Sequence, residues 1–291
     1  MSAIAKPMMP AWSTLLRLGR VSNLPTVWTN VAAGTVIAGG ASANQFTLML
    51  AAMTAFYIGG MYLNDFFDRA LDARERPGRP IASGEISAAA VSIIGFGLLA
   101  AGVLLMMPLG PAAAACGAIL AATILLYDVW HKGNAISPIV MGLCRAMVYV
   151  SACVAVTGSL SKAALIGALA LAFHVAGITY AAKQEGLDRV GKLWPLLMLS
   201  APLVAALPAA TAWPVLAAMV LLLAADARAI HLLAAKPVPG AVPLAVSGLI
   251  AAICLVDALA VTAAGGHITI AAVCVLGYPL TRLFQKIVPG T

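Results

Sequence analysis

The chain has 291 residues, of which 63% are apolar and only 9% charged, and its mean hydropathy is +1.01. A soluble domain carries about a quarter charged residues, so a water-covered globule is excluded and lipid must be the solvent for most of the chain. The formal charge of +7 does not mark a nucleic-acid binder, because the basic residues sit in short connectors beside apolar runs and form no patch with interleaved aromatics.

In chain order, apolar runs predict spans at 24–41, 45–63, 88–108, 111–128, 136–157, 163–182, 194–211, 213–233, 241–264 and 268–285. Each is bounded by charges, Pro or Gly, and most approach the roughly 20 residues needed to cross a hydrocarbon core. Backbone groups in lipid must be satisfied within their own segment, so the expected class is all-α, a polytopic transmembrane helical bundle. No connector is long enough to separate domains, and 1–291 is expected to form one unit. The first twenty residues include Lys6, Arg17 and Arg20 and show no cleavable apolar core. Cys116, Cys144, Cys153, Cys254 and Cys274 lie in apolar runs without metal-ligand spacing and read as small core residues.

Alternating the spans from a cytoplasmic N-terminus puts Lys and Arg almost entirely on one face, with Lys162 alone opposite and Arg145 within a span. That asymmetry predicts the N-terminus inside, and an inside C-terminus after about ten helices. The acids gather on the same face: Asp65, Asp68, Asp72, Glu75, Glu85, Asp128, Glu185, Asp188 and Asp226 all fall near helix ends there, and only Asp257 lies well inside a span. The positive-inside rule does not concentrate acids, so their position points to a polar site. A faint repeat supports two half-bundles. The second and sixth spans end in Asn64-Asp65-Phe66-Phe67-Asp68 and Gln184-Glu185-Gly186-Leu187-Asp188, and the fourth and eighth end near Asp128 and Asp226.

The second span runs into a charged stretch at residues 62–81. On a helix Asp65, Asp68 and Asp72 share one face, and Asn64 neighbours Asp68. Carboxylates on one stripe repel unless a cation neutralises them. An oxygen-only set suits Mg²⁺, which takes one or two carboxylates and completes its shell with water and phosphate oxygens. The arginines that follow suit phosphate, Arg79 best of them. The plainer alternative is a solvated loop whose acids and arginines pair with one another.

Residues 64–72 match the NDxxDxxxD pattern of the UbiA superfamily of intramembrane prenyltransferases, and Arg79-Pro80-Ile81-Ala82-Ser83-Gly84 matches the RPIxSG stretch that follows it there. Tyr127-Asp128-Val129-Trp130-His131-Lys132 is similar to the next connector of that family. The resemblance covers the chain from about Arg17 to the ninth span. It implies a nine-helix core, here with a tenth C-terminal helix, in a bacterial inner membrane. It implies Mg²⁺-dependent transfer of a prenyl group from a prenyl diphosphate to an aromatic or other hydrophobic, lipid-soluble acceptor. By position, Asn64, Asp65, Asp68 and Asp72 would hold Mg²⁺ against the diphosphate, Arg79 and Lys132 would hold phosphate, and Tyr127 and Asp128 would line the site.

The second acidic motif departs from the family's DxxxD. Glu185 and Asp188 keep a three-residue spacing and are candidate ligands of the same or another ion. Lys183 stands about where an acid is expected and is a candidate diphosphate contact. Arg145, a charge within a span, is a candidate for diphosphate or an acceptor anion, or else belongs to a structural ion pair. Asn23 and Asn30 are candidates to orient an acceptor, or to join helices. Asp257 shows no obvious partner and reads as a helix-packing or protonated residue, and His174 is either a pocket residue or a core histidine. The competing function is a secondary transporter, whose sites lie near the midplane; a catalytically altered relative of the family is the other.

Overall fold

A computed structural model describes residues 11–184, 192–234 and 240–290. Among the described residues there is no strand, and the chain is a bundle of helices: α1 (Trp12–Leu18), α2 (Leu24–Ile37), α3 (Ala43–Glu75), α4 (Ala88–Met106), α5 (Pro111–Trp130), α6 (Ser137–Thr157), α7 (Lys162–Ala182), α8 (Ala201–Ala206), α9 (Trp213–Ala234), α10 (Ala241–Ala263) and α11 (Ile268–Phe284). Seven of them, some with short helical extensions, are long and apolar enough to cross a membrane. Large apolar side chains such as Ile93, Leu104, Leu197, Val220 and Leu276 lie on the outside, as a lipid-facing surface requires. The chain is a multi-pass membrane protein.

Local signals start and stop these helices. Ser42, Ser87 and Ser161 each accept a hydrogen bond from the backbone N–H three residues on, and Gln45 completes a capping box with Ser42. Gly158 ends α6 in the left-handed conformation at φ 75.

All ten expected segments are helical, with three differences. A short helix, α1, precedes them. The second segment continues past residue 63 to Glu75, because the charged stretch goes on in helical register once it leaves lipid. The expected span at 194–211 is broken into a 3-10 turn (Trp194–Ser200), α8 and a second turn (Leu207–Ala209). Pro195, Pro202 and Pro208 recur too often for continuous α-helical bonding.

Two large apolar clusters, with a smaller third at Leu18, Tyr62, Ile86 and Val91, form the interior of the described residues. Val27, Met49, Phe56, Leu63, Leu99 and Leu120 join α2 to α5. Tyr149, Leu171, Leu222, Leu249 and Leu259 join α6, α7, α9 and α10. Helices α2 and α6 contribute to both, and a cavity of about 500 Å³ opens between the two halves.

Candidate active site

The cavity has a charged mouth and an apolar interior. Asn23, Asn64, Asp65, Asp68, Asp72, Arg79, Tyr127, Asp128, Lys132 and Lys183 all line it, and so does Arg145 further in. Its inner wall includes Val27, Met53, Phe56, Leu120, Ile124, Val148, Val246 and Ile250. The α-helical register of α3 aims its three aspartates at one space. Carrying the helix beyond the apolar run leaves them at the mouth rather than in lipid.

Each carboxylate has its own surroundings. Asp65 Oδ1 is 3.4 Å from Arg20 Nη2 and 3.8 Å from Arg79 Nη1. Asp68 Oδ2 is 2.9 Å from Lys132 Nζ and 3.4 Å from His131 Nε2. Asp72 is buried. Asn64 Nδ2 donates to Asp128 Oδ1 at 3.2 Å, and the other Asp128 oxygen is buried with no partner among the described residues. Burial first, then the charge of Arg20, lowers the pKa of Arg79, while Asp65 opposes the shift. A guanidinium stays charged through such a shift. At the rim, Glu85 accepts from Thr14 and pairs with Arg17. The Thr14 hydrogen bond is the main reason its pKa falls.

Arg20 and His131 belong to this site, and sequence reasoning singled out neither. Arg20 occupies the turn between α1 and α2 at φ 42, a region rare for a residue with a side chain. Its role depends on that turn, and nothing in the residue spacing signalled it. His131 did carry a signal. It follows Tyr127 by one helical turn, and the two rings stack with centroids 4.9 Å apart. His131 Nδ1 lies 3.1 Å and 3.2 Å from the carbonyl oxygens of Tyr127 and Asp128. Both are acceptors, so Nδ1 bears the proton, and Nε2 is turned to Asp68.

The candidate binding residues fall into different settings. Lys183 lines the cavity, but its ammonium donates to Asn134 O at 2.5 Å and to Ser137 Oγ at 2.9 Å. It thus ties down the connector that carries His131 and Lys132. Burial, then the charge of Lys132, lowers the pKa of Lys183. Asn23 is taken up by the C-terminal segment, donating to Gly290 O and accepting from Gln285 Nε2, each at 2.9 Å. Glu185 and Asp188 lie outside the described residues. The end of α7 just before them, Thr179 and Ala182, borders the cavity.

Asp257 shows no partner in the sequence, but in the fold its carboxylate packs helices together, accepting from Thr29 Oγ1 at 2.5 Å, from Asn30 Nδ2 at 2.7 and 2.9 Å, and from Tyr149 OH at 2.6 Å. Asn30 Oδ1 in turn accepts from Arg145 Nη1 at 3.0 Å. His174 is fully buried, with Nδ1 3.0 Å from Leu199 O and Nε2 4.0 Å from Asp226. It is a core histidine and does not border the cavity.

The donor set at the mouth fits Mg²⁺. It offers hard carboxylate oxygens, one of them buried without a partner on Asp128. Among the described residues no three acidic, His or Cys groups converge as a ready-made metal cage. That suits an ion held by one or two carboxylates and completed by phosphate oxygens and water.

A family model described as "UbiA prenyltransferase family" matches residues 24–256. Digeranylgeranylglyceryl phosphate synthase of Methanothrix thermoacetophila is 31% identical over 122 residues, which are 41% of this chain and 46% of that protein. The chain thus spans under half the length of this curated relative. A solved structure of a digeranylgeranylglyceryl phosphate synthase aligns with a TM-score of 0.62 at 19% identity, over 88% of this chain and 98% of that one. A UbiA homologue from Archaeoglobus fulgidus, solved with GPP and Mg²⁺, aligns with a TM-score of 0.61 at 13% identity, over 87% and 99%. At such identities the likeness establishes the fold.

Proposed function

The chain belongs to the UbiA prenyltransferase family, and from that premise we propose that it transfers a prenyl group from a prenyl diphosphate to a lipid-soluble acceptor within the membrane, with Mg²⁺ as cofactor. One observation carries the reading: three aspartates, two of them flanked by Arg20, Arg79, Lys132 and His131, ring the mouth of a cavity whose inner wall is apolar. A diphosphate suits the mouth and a prenyl tail the interior. The A. fulgidus homologue solved with GPP and Mg²⁺ supports the same pairing of ligands.

In this reading the allylic carbon–oxygen bond breaks and its electron pair leaves with the diphosphate. A nucleophilic atom of the acceptor bonds to the allylic carbon, and the acceptor's proton passes to an oxygen of the departing diphosphate. Bound Mg²⁺ supplies positive charge against the leaving group. Arg79, Arg20 and Lys132 add fixed cations where negative charge develops, at no cost of reorganisation during the step. Asp65 and Asp68 hold those cations in place until the ion and diphosphate bind. Phe56, Leu120 and Ile124 keep water from the carbocation-like carbon. Glu185 and Asp188, which follow α7 in the sequence, are proposed as ligands of the same or another ion.

The acceptor class includes aromatics, and relatives named for a prenylated glyceryl phosphate widen it to phosphate-bearing lipids. The excess of Lys and Arg at the mouth supports a cytoplasmic N-terminus and mouth. A transporter pathway through the deep polar residues has less support, because Asp257 and His174 are fully buried. The test is purified protein in lipid nanodiscs, given prenyl diphosphates of several lengths and a lipid extract, with and without Mg²⁺. Mass spectrometry should find prenylated product only with the ion. No Mg²⁺-dependent diphosphate release from any donor would overturn the reading.

A further inference from the structure

Arg145 is a second cationic centre, inward of the mouth and linked to it through Tyr57, whose hydroxyl donates to Arg20 O at 3.2 Å. It stacks over Tyr57 with its guanidinium carbon 5.4 Å from the ring centroid. Tyr57 precedes Asp65 by eight residues on α3, so its backbone lies roughly 12 Å further along the helix at 1.5 Å per residue. Counting along α6 from Ser137 gives the same depth.

The guanidinium is held rigidly but only on one side. Nη1 donates to Asn30 Oδ1 at 3.0 Å and Nη2 to Thr26 Oγ1 at 3.2 Å. A guanidinium has five N–H donors, so three remain without a protein acceptor among the described residues, and Arg145 borders the cavity. Its balancing charge, Asp257, stands behind Asn30 rather than against Arg145. Four hydrogen bonds already engage that carboxylate. A purely structural ion pair would close directly, because a charge left open in the membrane interior is costly. Here the intervening Asn30 fixes the cation and leaves its outer edge free for a ligand.

We propose that Arg145 binds an oxyanion carried by the acceptor, a carboxylate or a phosphate, and that Asn30 and Asp257 position it. The proposal rests on the prenyl-transfer reading. The diphosphate does not need this residue, since Arg20, Arg79 and Lys132 already stand at the mouth. A prenyl tail offers a guanidinium nothing. An acceptor anchored at Arg145 would direct its nucleophilic end up toward the allylic carbon, and anionic acceptors would be selected over neutral ones of the same shape.

The experiment measures acceptor binding by calorimetry in nanodiscs, and transfer separately by mass spectrometry. The probes are a hydroxyphenyl carboxylate and a monoalkyl glycerol phosphate, each beside its fully methylated, uncharged ester. At least one acid should bind about tenfold or more tightly than its ester, the scale of a charge-assisted hydrogen bond; which acid does so identifies the headgroup. In Arg145→Gln the gap should close to within about twofold, and Arg145→Lys should restore some of it. Affinity for prenyl diphosphate with Mg²⁺ should be unchanged in both. The inference is overturned if the unmodified protein binds esters as well as acids. It is also overturned if Arg145→Gln keeps the gap, or if it weakens prenyl diphosphate binding as much as acceptor binding. Binding is read without turnover, so absent transfer would defeat the family reaction, while absent discrimination would defeat only this inference.

Discussion

At Asp68 an ammonium and an imidazole meet one carboxylate oxygen, Lys132 Nζ at 2.9 Å and His131 Nε2 at 3.4 Å. Asp68→Asn keeps the shape and removes the charge that holds both, together with a proposed ligand of the ion. Diphosphate release should fall by roughly a hundredfold or more, the usual scale for a lost electrostatic stabiliser. Mg²⁺ affinity should weaken while circular dichroism stays unchanged. Full prenyl transfer by this variant would sink the Mg²⁺-dependent reading. Lys183 calls for a different test, because its ammonium is spent on Asn134 O and Ser137 Oγ. Lys183→Ala should free the connector at 131–137, seen as faster amide exchange there. It should raise the KM for prenyl diphosphate by roughly three- to tenfold through misplacement of Lys132. Unchanged exchange with a raised Mg²⁺ requirement would instead favour direct contact with the diphosphate.

Helices α6 and α7 meet so closely at Gly142 that a methyl group there would collide with the backbone carbonyl of Ala172. Backbone cannot swing aside as a side-chain tip can, so Gly142→Ala should force the helices apart. A loss of about 2 kcal/mol is expected, as in other overpacked interiors, visible as earlier thermal unfolding in detergent. Gly97→Ala on α4 is the matched control, since nothing lies within 4 Å of its added methyl. It should be neutral or slightly stabilising. Such contacts show what the sequence made legible. The helices could be read from hydropathy because lipid imposes both length and internal hydrogen bonding. The α3 carboxylates could be read because helical period alone brings Asp65, Asp68 and Asp72 together. Asp257 could not, because Thr29, Asn30 and Tyr149 stand 228, 227 and 108 positions away. Only the meeting of α2, α6 and α10 pairs them. The breaks at 194–209 were visible as three prolines, yet the apolar run outweighed them in a span-by-span reading.

Across the whole molecule, both ends of the described chain come to the mouth of the cavity. Near the N-terminus, Arg17 pairs with Glu85 and Arg20 with Asp65. At the other end, Gly290 O accepts from Asn23 and borders the same cavity as Asp68. The connectors at Gly40, Ser159 and Gly265 are among the turns that lead the chain back, and Lys162 is the one cation expected at that level. If the Lys and Arg excess sets orientation, the mouth and both chain ends face the cytoplasm. The check is a background with all five cysteines replaced, carrying single cysteines at Gly40, Gly78, Ser159 or Lys286, each of them exposed. A membrane-impermeant maleimide added to intact cells should label the positions at 40 and 159 only. Those at 78 and 286 should react after the membrane is opened. Labelling of 78 from outside would invert the molecule and put the diphosphate site on the wrong side for a donor made in the cytoplasm. Labelling of 286 alone from outside would separate the chain ends. That would contradict the hydrogen bonds by which Asn23 holds Gln285 and Gly290.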